Sequence, residues 1–316
     1  MSPEVGGVPG VGSPGIRGIT GGLLAPVPFA AATSHRIDEI GPGWLRKELG
    51  AAAFLGDAGA AKPAFVHDPR REPAVYRELL RPLAIGPHCA ASGDDWILIE
   101  RVPGVELWQI GDPDVWVRVA ARVAQIHRQL AVALLPGHVG SGAGRRVGGP
   151  SHADRVPLLV HDGRLFAAWR KRAAAAGAPP VVLAAHRRAT ERLVSIPPTL
   201  LHGELYPSNI LVRMVGLRLD VWPVDWELAG FGPAALDVAA LTAGRWDEAQ
   251  REAMVRAYFE AAGGSAGAWD VFQEDLAAAR LHLCVQWLGW APGWIPPAEH
   301  AHDWLGEALE LAETTA

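Results

Sequence analysis

The sequence predicts an α+β protein with two lobes: a small antiparallel β-sheet lobe with one main helix, and a larger, mostly helical lobe. Short apolar runs separated by turn residues continue as far as Val102, and helical periodicity replaces them after Gly104. The chain has 316 residues, about twice a typical domain of roughly 150 residues, so there is room for both lobes. With 49% hydrophobic residues it can also build a sizeable core.

The composition excludes several classes of function. A net charge of −5 argues against a nucleic-acid-binding surface. No stretch approaches about 18 uninterrupted apolar residues, so no membrane span or membrane partner is expected. The beginning lacks the pattern of a signal peptide, and two cysteines, Cys89 and Cys284, cannot form a disulfide framework. We therefore expect a cytoplasmic protein.

Composition and periodicity divide the chain into three parts. Residues 1–22 hold eight glycines and three prolines and are predicted to be a flexible tail, because they cannot bury enough apolar surface to offset the cost of ordering. Residues 23–103 form the predicted N-terminal lobe and residues 104–316 the C-terminal lobe.

Local patterns predict the elements of each lobe. Strand-like runs in the first lobe are Leu23–Ala30, Arg36–Ile40, Trp44–Leu49 and Trp96–Val102, with a helix over Arg71–Leu80. In the second lobe Asp112-Pro113 begins a helix whose apolar stripe is Trp116, Val119, Val123, Ile126 and Leu130. Further helices are predicted over Leu165–Ala176, over Pro180–Val194 and from Ala234 onward, with a hairpin turning near Gly216.

One constellation carries chemistry. Glu204 follows His202 by two residues and Asn209 follows it by seven, while Asp225 lies sixteen residues beyond Asn209. Phosphoryl transfer needs a carboxylate near the attacking hydroxyl and oxygen ligands for Mg²⁺. Glu204 suits the first role, and Asn209 with Asp225 the second. The predicted hairpin would return Asp225 to the side of Asn209.

This segment resembles the catalytic region of the aminoglycoside phosphotransferase and choline kinase-like family, a branch of the protein kinase-like fold. The usual family pattern is H-G-D-x-x-x-x-N followed by I-D-[FW]-x, and the resemblance extends from about Leu23 to the end of the chain. It implies a bilobal kinase-like fold. It also implies transfer of the γ-phosphate of ATP or GTP to a hydroxyl of a small molecule with Mg²⁺.

The resemblance assigns further roles in the N-terminal lobe. Lys47 would hold the α- and β-phosphates and pair with Glu72, with Glu78 as the alternative partner. The hinge that pairs with adenine would be Glu100, Arg101 and Val102, and the loop covering the phosphates would include Thr33 and Ser34. His202 is expected to brace the catalytic loop and His127 the core, and neither is expected to react.

Glu204 stands where the family pattern has aspartate. One extra methylene moves a carboxylate by about 1 Å, and misplacement on that scale can cost on the order of 10²-fold in rate. Two hypotheses follow. The protein is an active phosphotransferase, or it is a catalytically degenerate or repurposed kinase-like protein that binds nucleotide without phosphorylating a small molecule.

The acceptor side is open between two interpretations. A tryptophan cluster is either core packing or an aromatic wall for an apolar or cationic acceptor; its members are Trp287, Trp290, Trp294 and Trp304. Asp303, Glu307 and Glu310 share a helix face that is either merely solvated or borders the cleft and favours an amine-bearing acceptor. In both cases the expected partners are a nucleoside triphosphate and a small hydroxyl-bearing molecule.

Overall fold

The computed structural model describes residues 35–55, 62–133, 156–244, 246–290 and 302–314. The predicted tail, the predicted strand Leu23–Ala30, and the predicted phosphate-loop residues Thr33 and Ser34 lie outside these ranges. Within the described ranges, no helix combines the length and apolar character needed to cross a bilayer. The architecture is mixed α+β, as predicted.

A four-stranded antiparallel sheet forms the first layer. Its strands are β1 (Ile37–Glu39), β2 (Trp44–Glu48), β3 (Cys89–Ser92) and β4 (Trp96–Glu100), in the order β1-β2-β4-β3. The predicted strands near residues 36–40, 44–49 and 96–102 are therefore present, while β3 was not predicted. The register places Lys47 opposite Ile97, in the interior of the sheet.

A helical segment packs on this sheet where one helix was predicted. It comprises α1 (Arg71–Val75), a π-helical turn (Tyr76–Leu80) and α2 (Arg81–Leu83), which follow one another without a break. Val75, Leu79 and Leu80 are buried in one cluster with residues of the sheet, as the helical spacing predicts. The position of Asp68 ahead of the helix suggests it as a cap, but its carboxylate accepts the Arg70 N–H, and the N-cap position is held by Arg70 without a side-chain cap bond.

The C-terminal part is mostly helical, also as predicted. Its helices are α3 (Pro113–Ala133), α4 (Gly163–Ala175), α5 (Pro180–Leu193), α6 (Ala235–Leu241), α7 (Glu248–Ala261), α8 (Trp269–Trp290) and α9 (Trp304–Thr314). Every residue of the predicted α3 stripe, from Trp116 to Leu130, is buried. Helix α8 packs against α4, α5, α6 and α9, so it is the central helix of this part.

Two small sheets lie among these helices. One has the order β5 (Val105–Glu106), β8 (Ile210–Val215) and β9 (Arg218–Pro223), and the other β6 (Leu159–Val160), β10 (Gly230–Gly232) and β7 (Thr199–Leu201). The predicted hairpin is the β8–β9 pair. Its register pairs Ile210 with Pro223, and the Val224 N–H donates to the Asn209 carbonyl over 2.9 Å. The hairpin thus brings the segments of Asn209 and Asp225 together.

Arg71 ties helix α1 to distant parts of the chain. Its buried guanidinium donates to the carbonyl oxygens of Val66, Pro157 and Glu227, each over 2.7 Å. The planar fork of arginine suits several acceptors at once. Without Arg71, these carbonyls would lose a charged donor in a buried place.

We expect Arg71→Met to destabilise the protein strongly. Hydrogen bonds from charged groups contribute about 1.5–3 kcal/mol each, so three that are lost should lower the free energy of unfolding by roughly 3 kcal/mol or more. Urea unfolding measures this loss. The matched control is Arg77→Met on the same helical segment, where an exposed Arg77 pairs with Glu78 and should matter little. Equal midpoints for the two variants would refute the role given to Arg71.

Candidate active site

Lys47 on strand β2 lies at the centre of a buried ionic cluster. Its ammonium nitrogen lies 2.7 Å from the Glu72 Oε2 on α1 and 2.7 Å from the Asp225 Oδ1 beyond β9. The other carboxylate oxygen of Glu72 accepts the Trp226 N–H over 3.2 Å. The structure therefore places Glu72 beside Lys47, and the alternative partner Glu78 pairs with Arg77.

The charges around Lys47 keep it protonated. Burial alone would lower the pKa of the Lys47 ammonium, but the carboxylates of Asp225 and Glu72 outweigh burial and hold that pKa well above its ordinary value. A permanent positive charge at the bottom of the cluster is what an anionic ligand such as a phosphate requires.

Asp225 has an unusual backbone that fits its position. Its φ of 67° and ψ of 62° are left-handed, a region that aspartate tolerates better than most residues. The residue lies two positions beyond the end of β9 and directly precedes the 3₁₀ turn Trp226–Leu228. Its side chain remains 24% exposed, against 1% for Glu72, so Asp225 is the carboxylate of this pair that a ligand can reach.

The loop after strand β7 is held by Asp237 at the start of α6. The buried Asp237 carboxylate accepts the backbone N–H groups of His202 over 2.7 Å and Gly203 over 2.9 Å, and it lies 3.0 Å from the Nε2 of His127. The His202 Nε2 lies 2.8 Å from the Val224 carbonyl oxygen. His202 thus braces the loop, as expected. His127, which was expected to brace the core, contacts Asp237 with one ring nitrogen and the Tyr258 hydroxyl with the other. Asp237, to which the sequence pattern assigned no role, is a positioning residue.

Gly203 makes this loop possible. Its φ is +88°, and a Cβ there would lie 2.1 Å from the Leu228 carbonyl oxygen. Only glycine combines that backbone with so close an approach. The pattern His202-Gly203-Glu204 therefore has a steric requirement at its centre.

Glu204 and Asn209 lie at the two ends of the loop and are joined through the backbone. The Asn209 Nδ2 donates to the Glu204 carbonyl over 2.9 Å. This bond orients the Asn209 amide, and no hydrogen bond within the described ranges engages its side-chain oxygen. That oxygen is therefore available as a ligand.

The carboxyl of Glu204 is buried and lies within the electrostatic influence of other carboxylates. Burial raises its pKa to about 8, with Glu227 and Asp225 adding to the rise and Lys62 and Lys47 opposing it. Within the described ranges its oxygens have no hydrogen-bond partner. In the metal-free protein at neutral pH, this group holds a proton.

A second ionic cluster adjoins the first, and sequence reasoning missed two of its three members. The Lys62 ammonium pairs with the Glu227 Oε1, and the Nδ1 of His35 lies 3.2 Å from the Glu227 Oε2. Burial would raise the pKa of Glu227, but Lys62 and His35 outweigh burial and hold it well below its usual range. Glu227 lies two residues beyond Asp225, Lys62 belongs to no recognised pattern, and His35 directly follows the predicted phosphate-loop residues Thr33 and Ser34 but was assigned no role.

The predicted hinge lies at the end of β4, and two of its three backbone N–H groups already bond within the protein. The Glu100 N–H donates to the His88 carbonyl over 2.8 Å, and the Arg101 N–H to the Gly43 carbonyl over 2.9 Å. No backbone hydrogen bond within the described ranges engages the Val102 N–H. Of the three hinge residues, Val102 is therefore the one whose N–H is open to a ligand.

Aromatic rings lie beside the loop that carries Glu204. Trp287 stacks on Trp304 with ring centres 5.3 Å apart and meets Tyr206 edge-on at 5.6 Å. Trp290 instead stacks on Trp169 at 5.5 Å, and Trp294 lies outside the described ranges. Trp287 and Trp304 thus adjoin the loop, whereas Trp290 packs away from it.

The acidic face considered for α9 does not act as a unit. Glu307 turns inward and pairs with Arg280 and His302. Burial would raise its pKa, but these two partners outweigh burial and lower it to about 2. Asp303 and Glu310 remain exposed. The negative charge of Glu307 is therefore already balanced within the protein.

Comparison with known proteins identifies the family. Residues 45–282 match the model of the phosphotransferase enzyme family APH. That match spans most of the chain, so the chain belongs to this family. No curated protein matches the sequence.

Solved structures show the same fold. One is the GDP complex of aminoglycoside 2'-phosphotransferase-IIIa, with 15% identity, a TM-score of 0.53 and coverage of 91% of this chain and 94% of that one. Choline kinase LicA from Streptococcus pneumoniae has 12% identity, a TM-score of 0.57 and coverage of 90% and 91%. Ethanolamine kinase from Plasmodium vivax has 11% identity, a TM-score of 0.52 and coverage of 89% and 81%. The bilobal kinase-like fold is therefore confirmed.

The high pKa of Glu204 predicts a pH dependence of stability in metal-free protein. The folded state retains a proton that the unfolded chain loses above the ordinary pKa of about 4.5, so this group destabilises the fold increasingly as pH rises toward about 8. We expect Glu204→Gln to flatten the fall in melting temperature between pH 5 and pH 8 with a chelator present. The exposed Glu260→Gln serves as control. Parallel curves for all three proteins would contradict the assignment.

Proposed function

We propose that this protein is a small-molecule O-phosphotransferase that moves the γ-phosphate of ATP or GTP to a substrate hydroxyl with Mg²⁺. One observation carries the proposal: Lys47 contacts Asp225, 178 residues away. The hairpin brings the segment of Asp225 next to Asn209, whose side-chain amide donates to the Glu204 carbonyl. A permanent cation, two oxygen ligands and a carboxylate are the groups that phosphoryl transfer requires. Family membership and the kinase-like fold support the same activity.

The division of labour between lobes is part of the proposal. Residues 23–103 bind the nucleotide, residues 104–316 carry the catalytic loop and receive the acceptor, and residues 1–22 form a flexible tail. We further propose that the protein acts in the cytoplasm. Cys89 and Cys284 are both free and buried, which suits a reducing compartment.

The residues present fit a magnesium ion. In the first cluster the carboxylates of Glu72 and Asp225 face one lysine, Lys47, so this part of the site has a surplus of negative charge. In the second cluster Glu227 is paired with Lys62 and His35. Carboxylate and amide oxygens are the ligands that Mg²⁺ prefers, and Asp225 and Asn209 offer both. When bound, the ion would neutralise charge developing on the phosphates.

Each remaining residue has a task set by its place. Lys47 binds the α- and β-phosphates, and Glu72 holds its ammonium in position. Val102 offers its N–H to the base. Glu204 orients the attacking hydroxyl and accepts its proton, a lesser requirement in a loose transition state than correct positioning.

The acceptor site adjoins Tyr206, Trp287 and Trp304, which lie beside the catalytic loop. Aromatic faces bind cationic groups, and the similar structures include kinases named for choline, ethanolamine and aminoglycosides. We therefore propose a small alcohol as acceptor and rank amine-bearing alcohols first for screening.

A second candidate function is nucleotide binding without transfer. The observation that favours it is Glu204, which replaces the family's aspartate and holds its proton in the metal-free protein. A screen for acceptors that gain one phosphate distinguishes the two. Transfer by the natural protein supports the phosphotransferase, whereas transfer that appears only in Glu204→Asp supports degeneration.

Nucleotide should stabilise the protein in a metal-dependent way. A ligand that binds only the folded state at 100 times its Kd adds about 2.7 kcal/mol, so we expect ATP or GTP with Mg²⁺ to raise the melting temperature by several degrees. Thermal unfolding measures it. Asp225→Ala should abolish the part of the shift that depends on Mg²⁺.

The matched control is Asp94→Ala in the exposed β3–β4 turn, which should keep the full shift. Folded natural protein that does not respond to millimolar nucleotide would refute the proposed function. An unchanged magnesium dependence in Asp225→Ala would refute the role given to that residue.

A further inference from the structure

Lysine is rare in this chain, and its placement is informative. Of 29 basic Lys and Arg residues only three are lysines: Lys47, Lys62 and Lys171. Lys171 is exposed on α4, whereas Lys47 and Lys62 are both buried and both pair with carboxylates of the candidate active site. Two of the three lysines therefore belong to one place in the fold.

Lys62 is paired with the segment that directly follows Asp225. Its ammonium pairs with Glu227, which lies two residues beyond Asp225 in the 3₁₀ turn that Asp225 precedes. Its charge also acts on Glu204, where it opposes the rise in the pKa of that carboxyl. Lys47, in contrast, contacts Glu72 and Asp225 directly. The two lysines thus pair with different carboxylates of the candidate active site.

The bonding of Lys62 leaves capacity for a ligand. An ammonium group has three donors, and within the described ranges the Lys62 ammonium is paired with Glu227 alone. Arg71, also buried, differs in donating from its Nε and Nη1 to three carbonyl groups of the fold. Lys62 is a compact point charge with donors to spare, which suits a phosphate oxygen.

The negative charge of a bound nucleoside triphosphate makes a second cation near its phosphates favourable. A nucleoside triphosphate adds several negative charges to a site that already holds the carboxylates of Glu72, Asp225 and Glu227. Phosphoryl transfer concentrates charge around the γ-phosphoryl group, and a preorganised cation there stabilises the transition state. That group must come close to Glu204, because the acceptor hydroxyl attacks it.

We propose that Lys62 is a second phosphate-binding lysine, which contacts the γ-phosphate of the bound nucleotide while Glu227 holds its ammonium in place. This inference rests on the proposed function. Lys47 binds the inner phosphates and Lys62 the outer one, so the two lysines divide the triphosphate between them.

Affinity labelling tests the proposal directly. The probe is an ATP analogue with an acyl group on its terminal phosphate. A nearby lysine ammonium first loses a proton to solvent; the free amine then attacks the acyl carbonyl, an amide bond forms, the bond from acyl carbon to phosphate oxygen breaks, and ATP and a second proton leave. Peptide mass spectrometry should find Lys47 and Lys62 labelled, with excess Mg²⁺·ATP reducing both labels at least tenfold. Lys171 should be labelled slowly and without protection.

The outcomes separate this inference from the proposed function. Protected labelling of Lys47 without Lys62 would overturn the inference and leave the nucleotide site intact. Absence of protected labelling at both lysines would overturn the proposed function itself.

A binding experiment separates phosphate contact from mere charge pairing. Calorimetry compares Mg²⁺ complexes of ADP and of a non-hydrolysable ATP analogue. The natural protein should prefer the triphosphate, and Lys62→Met should lose about tenfold of that preference. The double variant Lys62→Met/Glu227→Gln removes both charges, so it should recover thermal stability without recovering the preference. Lys171→Met is the control, and a double variant with full preference would overturn the proposal.

Discussion

The site depends on the ion pair between Lys47 and Asp225. Lys47 belongs to a strand of the first sheet and Asp225 to the end of the β8–β9 hairpin, and 2.7 Å separates their charged atoms. A buried charge is tolerated only when it is paired. Burial of Lys47 therefore requires the hairpin to lie against the sheet, and Glu72 and Arg71 on α1 consolidate that arrangement.

A second constraint is that the backbone N–H groups of the loop between His202 and Asn209 need hydrogen-bond partners. The loop bends sharply at Gly203 and has buried N–H groups that no helix or strand satisfies. Asp237 satisfies two of them and also contacts His127 from helix α3. One carboxylate thus joins the loop, α3 and α6, and it leaves Glu204 and Asn209 at the loop's two ends.

The charges of the same cluster suit the proposed nucleotide and its metal ion. Two carboxylates against one lysine leave net negative charge in the first cluster, and the proton retained by Glu204 keeps that group from adding to it. A divalent cation would offset that charge. In the proposed complex, the ammonium groups of Lys47 and Lys62 would serve as donors to the phosphate groups, so the charges of ligand and site would complement each other.

The sequence by itself determined what short spacings encode: the hairpin, the α3 stripe from Trp116 to Leu130, and the loop of Glu204 and Asn209. Only the tertiary structure decided between Glu72 and Glu78, placed Lys62 and His35 on Glu227, and turned Glu307 inward to Arg280. Periodicity and motif spacing are properties of neighbouring residues. Which charges become buried together depends on contacts between distant segments, and those exist only once the chain has packed.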